Sequence, residues 1–341
     1  MSKVTKIRYF TPDKVALINP ENIKLYDKYL KSNIIKNKDV ESTTYKVYRN
    51  NMQQFMVYLA EEWDNIGLYD EEFFEESVDI MEGFIDFCVS ILQNNKKAVN
   101  NKLSAVSSFY NWSRKRKLIK MHPFEGQLER MKGAQDEKII ASHYLTQDEI
   151  NEISKGLEGN PKYDIQDKLI WHIMIDSCNR VGAISKLTLS SLNLEEMFFE
   201  DIREKRGYKV EVAFEEYSAE LIKEWLEMRK EMDDCQVDAL FITKLNDEYR
   251  QMAKATIQNR IKRIGEIIGL TDFRSHSIRK TAINQIYEQT GNLDLAAEMA
   301  NHSSVETTRQ SYIKPKTKSE TRQKIAELKK KKKVEENKAS E

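Results

Sequence analysis

The sequence contains few of the residues that interrupt regular structure. Of its 341 residues only 11 are glycine and 5 are proline, and no low-complexity stretch occurs. Apolar residues make up 40% and charged residues 32%, which is typical of a helix-rich globular protein and excludes a disordered or collagen-like chain. The length is ample for hydrophobic cores and suggests two domains rather than one.

Cysteines and long apolar runs are also scarce. The three cysteines, Cys88, Cys178 and Cys235, are odd in number and widely spaced, so they provide neither a disulfide framework nor a CxxC metal site. We therefore expect reduced thiols. No apolar run approaches the roughly 18 residues that a membrane span needs. Because the N-terminal segment also lacks the apolar core of a signal peptide, we expect a cytoplasmic protein with no membrane partner.

Signatures of nucleotide and metal chemistry are missing. The sequence has no Walker-type or GxGxxG glycine loop, no HExxH motif and no clustered acidic set that would suggest a metal site. ATP and divalent-metal chemistry are therefore poorly supported. We expect no cofactor and no metal.

Charges cancel over the whole sequence but separate along it. There are 55 Lys and Arg against 55 Asp and Glu, a balance that by itself argues against a nucleic-acid partner. Residues 61–86, however, hold eleven acids and no Lys or Arg, whereas residues 87–124 hold eight bases and no acid. Residues 314–341 are basic too, with eleven bases and five acids. This separation allows a basic surface on a neutral protein, and the alternative is an ordinary solvated face.

Helical periodicity organises the first part of the sequence. Apolar residues recur at helical spacing over 45–59, behind hydroxyl residues that can cap a first turn. A second helix is expected over 78–92, and a third carries an apolar stripe over 99–110. Trp112 could stack on bases, although a core position is the better interpretation. The basic residues on and beside the third helix are predicted to bind DNA: Lys96, Lys97, Lys102, Arg114, Lys115, Arg116 and Lys117.

The second part of the sequence predicts more helices and one hairpin. Residues 121–142 contain Pro, two Gly and no sustained period, which is typical of a linker. Thr146 and Glu149 then form a capping-box pattern that opens a new helical domain, with an apolar helix over 169–175. Two alternating segments within 197–214 predict a β-hairpin around a glycine-containing turn. Further helices are expected over 219–232, 256–268, 277–289, 293–300 and around Tyr312.

Several cations, two imidazoles and one phenol in this second domain are the candidates for chemistry. Arg180 follows the apolar helix, and His276 and Arg279 are three residues apart, which places them on one face of a helix. His302 begins a turn, and Tyr312 follows ten residues later. Guanidinium groups are permanently charged and bind phosphate in a bidentate fork. Taken alone, however, any one of the 15 tyrosines is usually a packing aromatic.

Three stretches of the second domain resemble the tyrosine recombinase (phage integrase) family. They are DSCNRVGAISKLTLSSL around Arg180, SHSIRKTA around His276 and Arg279, and MANHSSVETTRQSYIK around His302 and Tyr312. Each stretch alone is a weak signal, but together they keep the family's order and intervals. The likeness extends to TTYKVYRNNMQQFMVYL and NNKLSAVSSFYNWSRKRKLIKMHP, which look like the family's helical core-binding domain.

The resemblance implies a mainly α fold, with a helical, SAM-like core-binding domain and an α+β catalytic domain that carries a small β-hairpin or sheet. The implied divisions are an N-terminal arm at 1–19, the core-binding domain at 20–123, a linker at 124–141, the catalytic domain at 142–315 and a basic C-terminal tail at 316–341. The arm and the lysine-rich tail lie outside the resemblance.

The family also implies roles for individual residues. Arg180 and Arg279 would clamp the phosphate, His276 and His302 would support them, and Tyr312 would be the nucleophile.

The family pattern implies one further catalytic residue, a lysine in the hairpin, and this sequence differs from the pattern at two positions. The family's hairpin lysine corresponds best to Lys205, with Lys209 as the alternative. Ala183 stands where an acidic residue is often found, and Asn301 stands where glycine is usual. Both departures concern residues around the catalytic set rather than the set itself.

By resemblance, the chain is expected to be a site-specific DNA recombinase of the integrase or resolvase type. Such an enzyme cuts and rejoins double-stranded DNA through a 3′-phosphotyrosine intermediate and a Holliday junction, without metal or ATP. The implied partners are DNA, a homo-tetramer with a dimer on each site, and potential accessory DNA-bending proteins. Two alternatives stay open, namely DNA relaxation of the type IB topoisomerase kind and a non-catalytic DNA-binding regulator on the same fold.

Overall fold

The computed structural model describes residues 9–36, 42–133, 143–203, 208–232, 235–302, 304–314, 318–319, 321–322 and 325–326. The chain divides into two compact units, Met1–Ala141 and Ser142–Glu341, and each has its own apolar core. Within the described residues, no helix is both long and apolar enough to cross a bilayer. The architecture is mainly α with small antiparallel sheets, which confirms the predicted fold class.

The described part of the first unit is helical. Its elements are α1 (Pro12–Ala16), α2 (Pro20–Lys36), α3 (Ser42–Glu62), α4 (Glu71–Glu75), α5 (Ser77–Asp86), a π-helical turn (Phe87–Ile91) and α6 (Lys96–Lys115). The expected helices are confirmed as α3, as α5 with its π-helical continuation, and as α6. Asn95 caps α6, because its side-chain oxygen accepts a hydrogen bond from Ala98 N at 2.9 Å.

Aromatic side chains fill the core of the first unit. Phe55, Phe73 and Phe84 are fully buried. The ring of Phe55 meets those of Phe73 and Phe84 edge-on, with centroids 6.3 and 5.0 Å apart, an arrangement that adds about 1 kcal/mol per pair beyond burial alone. Trp112 is buried as well, and its Nε1 donates to Ser32 Oγ at 3.0 Å, so the core interpretation of this ring is confirmed.

Two predicted boundaries of the first unit differ from the structure. Residues 9–19 do not form a separate arm, because α1 lies within them and Ile18 is buried in the core. At the other end, the predicted linker starts inside the unit: Phe124 is buried, and Asn100 Nδ2 donates to the Met131 carbonyl at 3.1 Å. In both segments several apolar side chains attach the chain to the core: Tyr9, Phe10 and Val15 beside Ile18, and Leu128 and Met131 beside Phe124.

The second unit combines helices with short strands. Its elements are α7 (Gln147–Gly159), α8 (Ile165–Ser177), α9 (Val181–Ile184), β1 (Leu192–Asn193), β2 (Phe198–Arg203), β3 (Lys209–Ala213), α10 (Glu216–Lys230), β4 (Ile242–Leu245), β5 (Glu248–Gln251), α11 (Lys254–Gly265), a 3₁₀ turn (Glu266–Ile268), α12 (Ser275–Thr290), α13 (Leu293–Met299) and α14 (Val305–Tyr312). The capping box of Thr146 and Glu149 is confirmed at α7. A second box, formed by Asp164 and Asp167, starts α8 earlier than the apolar pattern predicted.

The sheets include the predicted hairpin and one that was not predicted. β2 and β3 pair antiparallel, and β1 joins the other edge of β2. Asp201 lies at a register shift in β2 with φ of 59°. The predicted turn at 204–207, including Lys205, lies outside the described residues. β4 and β5 form the second hairpin around Asn246 and Asp247, which both have positive φ.

Helix α8 brings the candidate residues together. Leu169, Ile170 and Ile173 are fully buried, and the helix packs against α10 and α12. The end of α8, which leads to Arg180, is therefore held close to the helix that carries Arg279. A separate small cluster of buried side chains surrounds the end of α14 and consists of Cys178, Ala282, Ile283, Ala296, Ala300 and Tyr312.

Candidate active site

Arg279 is the buried centre of the candidate site. It lies in the first turns of α12 with 1% of its surface exposed. One terminal nitrogen, Nη1, donates to the Cys178 carbonyl, and Nη2 donates to the Ala300 carbonyl at 2.6 Å. The guanidinium therefore joins the end of α8 to the end of α13, and both of its terminal nitrogens have hydrogen-bond partners, as a buried charge requires.

Arg180 is presented differently, at the surface. It forms the N-cap of the short helix α9, with extended backbone angles and an exposed side chain. Two residues earlier, Cys178 at the end of α8 adopts the left-handed conformation with φ of 55°. This turn points the Cys178 carbonyl at Arg279 while the chain reverses toward Arg180. Burial raises the pKa of the Cys178 thiol to about 12, which makes the sulfur inert at neutral pH.

A Schellman turn at the end of α13 places His302. The amide of Asn301 donates to the Glu298 carbonyl and the amide of His302 donates to the Ala297 carbonyl, at 2.8 and 3.0 Å. Asn301 has φ of 51°, the left-handed conformation that glycine and asparagine tolerate best. The replacement of the family's usual glycine by Asn301 is therefore compatible with the same turn.

The hydrogen bonds of His302 fix its tautomer. Arg279 Nη2 lies 2.9 Å from Nε2 of His302, and an arginine can only donate, so Nε2 accepts. The proton is then on Nδ1, which donates to Thr308 Oγ1 at 2.8 Å. Thr308 is fully buried. Burial, followed by the charges of Arg279 and Arg180, lowers the pKa of His302 to about 4, so the imidazole is neutral at pH 7.

His276 lies one helical turn before Arg279. Its ring meets that of Tyr312 edge-on, with centroids 5.3 Å apart. Part of the imidazole is accessible to water. The burial of the remainder, followed by the charges of Lys280, Arg279 and Arg180, lowers the pKa of His276 to about 4. His276 is therefore neutral at pH 7, as a proton acceptor must be.

Tyr312 is the last residue of α14 and is 7% exposed. Its ring centroid lies 5.3 Å from the guanidinium carbon of Arg279 and 4.6 Å from the ring centroid of His302. The chain beyond it is also fixed, because Lys314 N donates to Asn284 Oδ1 on α12 at 2.9 Å. The phenol is thus held among the cation and the two imidazoles of its own chain.

The structure brings together five of the six residues predicted to be catalytic. Arg279, His276, His302 and Tyr312 contact one another through the distances given above. Arg180 is close enough for its charge to lower the pKa of both imidazoles. Lys205 lies outside the described residues. The alternative Lys209 forms an ion pair with Asp201, with Nζ 2.6 Å from Oδ2, on the exposed edge of the hairpin.

Lys102 is a correction to the predicted DNA contacts. It is 5% exposed, and its ammonium lies inside the first unit, where it donates to Asn94 Oδ1 and is 3.8 Å from Cys88 Sγ. Burial lowers its pKa. The cause is visible in the spacing, because residue 102 is three positions after Val99 and four before Val106, on the apolar face of α6.

The other predicted DNA contacts lie at or near the surface. Lys97, Lys115, Arg116 and Lys117 are exposed, and Lys96 is half-buried. Arg116 lies over the ring of Trp112, 5.4 Å from its centroid. Arg114 forms an ion pair with Glu125, so part of its charge is neutralised within the protein.

Three functional candidates were missed by reasoning from the sequence. Thr308 orients His302, Asn284 anchors the chain after the phenol, and Asn179 precedes Arg180 with its side chain buried. Thr308 and Asn179 fall within the quoted stretches around Tyr312 and Arg180, whereas Asn284 lies outside all of them. In the described ranges, no group of three or more His, Cys, Asp or Glu residues is arranged to hold a metal ion.

Comparison with known sequences identifies relatives of the second unit. The model of the phage integrase family matches residues 143–319. Tyrosine recombinase XerC of Shewanella sp. (strain ANA-3) is 25% identical over 154 residues, which are 45% of this chain and 50% of the relative. XerC of Vibrio vulnificus (strain YJ016) is 23% identical over 212 residues, which are 62% of this chain and 64% of the relative. The chain thus spans about half the length of the first of these relatives.

Solved structures show the same fold. The Tn1549 transposon integrase in complex with circular intermediate DNA superposes with a TM-score of 0.64 at 15% identity, over 89% of this chain and 98% of that chain. A lambda integrase dimer bound to a core site superposes with a TM-score of 0.61 at 13% identity, over 87% of this chain and 98% of that chain. The family match covers more than half of the sequence and includes every residue of the cluster around Tyr312. The chain belongs to the phage integrase family.

Proposed function

We propose that the protein is a site-specific DNA recombinase that cuts and rejoins double-stranded DNA through a covalent 3′-phosphotyrosine. The convergence of Arg279, His302 and His276 on the ring of Tyr312 carries this proposal. A single buried phenol among permanent cations and neutral imidazoles is suited to attack on a phosphodiester. Relatives named tyrosine recombinase and fold neighbours solved with DNA support the same activity.

In the first step, the Tyr312 oxygen attacks phosphorus, the bond from phosphorus to the 5′ oxygen breaks, and a free 5′ hydroxyl leaves. Arg180, at the surface, and Arg279, below it, bind the non-bridging oxygens and stabilise the charge that develops on them. The phosphoester bond is kept in the protein–DNA link, so the reverse attack by a 5′ hydroxyl reseals the strand without ATP.

The two imidazoles have separate tasks in this proposal. His276 takes the phenol proton, because it is neutral and lies against the ring of Tyr312. His302 accepts from Arg279 and is fixed by Thr308, so it first orients the guanidinium. A hydrogen bond from His302 to the phosphate requires protonation at Nε2 and loss of the bond from Arg279, and the negative charge of bound DNA favours the protonated form. Lys205 protonates the leaving oxygen, with Lys209 as the alternative.

The arrangement favours cleavage by the protomer's own tyrosine. Tyr312 is buried against residues of its own chain, and Asn284 holds the backbone that follows it. By analogy with the family, a dimer on each DNA site and a tetramer on two sites exchange strands through a Holliday junction, with DNA-bending proteins as accessory partners. The reaction takes place in the cytoplasm, and the domain divisions are those expected from the sequence, apart from the two boundaries corrected above.

Two other functions use the same fold. A type IB topoisomerase-like enzyme would also form the covalent link but would only relax supercoils, and a regulator would bind DNA without cutting it. The assembled catalytic cluster disfavours the regulator. Recombination of two sites on one plasmid distinguishes strand exchange from relaxation.

The test traps the covalent intermediate. The cleavage position is first mapped on DNA flanking the encoding gene, and a suicide substrate nicked beside it is then incubated with the protein. We expect a covalent complex with the wild type and none with Tyr312→Phe, which removes the nucleophilic oxygen but keeps the packed ring. Tyr287→Phe is a matched control that should react normally. If the wild type binds this DNA without forming an adduct, both enzymatic functions are excluded and the non-catalytic DNA-binding regulator remains.

A further inference from the structure

The residues before Arg180 and His302 are both asparagines, and their side chains meet. Asn301 Nδ2 donates to Asn179 Oδ1 at 3.3 Å. Asn179 is 1% exposed, so its amide has to find its partners within the protein. Because the usual family residue at position 301 has no side chain, this contact depends on a feature in which this sequence differs from the family pattern.

The orientation of the Asn179 amide follows from its neighbours. Its Nδ2 lies 3.2 Å from the Glu211 carbonyl on β3 and 3.3 Å from the Ser177 carbonyl at the end of α8. Carbonyl oxygens only accept, so the NH₂ group faces them and Oδ1 faces Asn301. Both donors and the acceptor of this amide are therefore used, and neither Asp nor Ser could reproduce the set.

This contact is the second bridge between two segments of the site. Arg279 already joins them by donating to the carbonyls of Cys178 and Ala300. In the proposed reaction, however, that guanidinium also binds the phosphate. The amide pair does not bind the phosphate in the proposed reaction. It also connects both segments to β3, the strand that follows the predicted lysine turn.

We propose that Asn179 and Asn301 are positioning residues: their amide pair holds the Arg180 loop, the His302 turn and strand β3 in the relative placement that phosphoryl transfer requires. The inference rests on the proposed function. Displacing a catalytic group by about 1 Å can slow a reaction up to a hundredfold, so a broken bridge should affect the chemical step more than DNA binding.

The main test is Asn301→Gly, which keeps the left-handed turn and removes the amide. Asn246→Gly is the matched control, because Asn246 is also left-handed, with φ of 49°, but lies in the exposed β4–β5 turn. Adduct formation is measured in single turnover at saturating protein on the suicide substrate, beside DNA affinity and melting temperature. We expect Asn301→Gly to slow adduct formation roughly tenfold with DNA affinity unchanged, and the control to react at the wild-type rate.

Two further variants separate the contact from general damage. Asn301→Asp keeps size and turn preference but sets an acceptor against Asn179 Oδ1, so it should be at least as slow as Asn301→Gly. Adding Asn301→Gly to Asn179→Ala should slow the reaction by no more than about twofold, since the bridge is already broken. Unfolding measurements show whether Asn179→Ala, at a buried position, remains folded. If it does not, the rates of the two Asn301 variants alone test the positioning role.

The outcomes are distinct. Wild-type rates for both Asn301 variants, or rate reductions that multiply in the double variant, would overturn the positioning role and leave the proposed function intact. A wild type that binds its DNA and forms no adduct would overturn both, because no transfer step would remain to be positioned.

Discussion

At the scale of single residues, hydrogen-bond capacity and charge determine the chemistry of the site. Arg279 can only donate, and this fixes the tautomer of His302 and the acceptor role of its Nε2. A pKa near 4 makes His276 neutral at pH 7 but also a weak base. Burial is the largest cause of this low pKa, and the charges of Lys280, Arg279 and Arg180 follow. Under the proposed function, a phosphate bound between Arg180 and Arg279 offsets part of the contribution of their charges and so raises the pKa of His276.

The proposed general acid can be tested at the same scale. Lys205→Ala should lower the cleavage rate roughly 10² to 10⁴-fold, because the departing oxygen is no longer protonated. A substrate with sulfur at the 5′ bridging position leaves without a proton and should recover much of that rate. Lys209→Ala tests the alternative assignment in parallel, and it should keep the cleavage rate if Lys205 is the acid, since the Lys209 ammonium is paired with Asp201.

Two results would reject this assignment. Equal rate reductions on oxygen and sulfur substrates would mean that Lys205 does not protonate the leaving group. Recovery by sulfur in Lys209→Ala rather than in Lys205→Ala would transfer the role to Lys209.

At the scale of elements, the ends of the helices contribute more to the geometry of the site than their middles do. The periodic interiors of α3, α6 and α12 were predictable, because apolar spacing specifies a helix. The Schellman turn at Asn301 and the left-handed Cys178 were not, since no periodicity marks them, yet they place His302 and the carbonyl that Arg279 binds. The second hairpin was missed although Asn246 and Asp247 are both residue types that tolerate the positive φ of such a turn.

Helix α6 provides a prediction about DNA binding. Changing the exposed Lys115, Arg116 and Lys117 to glutamine should reduce the slope of log affinity against log salt concentration by up to about 2.7, or 0.9 for each phosphate that is no longer neutralised. Lys102→Met should leave that slope unchanged, because its ammonium is buried. Titrations at several salt concentrations measure both. A triple variant with the wild-type slope would place the DNA elsewhere.

At the scale of the whole molecule, the sequence predicted the fold class and the nature of the site better than its details. The candidate catalytic set was predicted from motif order, and the structure places its described members together. Individual hydrogen-bond partners stayed hidden: Asn94 for Lys102 and Thr308 for His302, which are 8 and 6 residues away, and Asn179 for Asn301, which is 122 residues away. A side chain's hydrogen-bond partner leaves no trace in hydrophobic periodicity, and neither did the anchors Ile18 and Phe124, which lie in segments too short for a sustained period.

The two separate cores lead to a prediction about stability. Phe84→Ala should remove roughly 3–5 kcal/mol and Leu169→Ala roughly 2–5 kcal/mol, because both side chains are fully buried. Since Phe84 belongs to the core of the first unit and Leu169 to that of the second, each should lower only the unfolding transition of its own unit. Calorimetry of the full chain resolves the two transitions. Equal shifts of both transitions by either variant would show that the units unfold together.

The wide sequence separation of the active-site contacts has a consequence for the living cell. Arg279 reaches back across 101 residues to the Cys178 carbonyl, and the phenol at position 312 comes later still. A ribosome therefore adds Arg180 and Arg279, the proposed phosphate clamps, before Tyr312, the proposed nucleophile. Under the proposed function, an unfinished polypeptide can bind DNA but cannot break it, and cleavage is restricted to chains whose synthesis has passed α14.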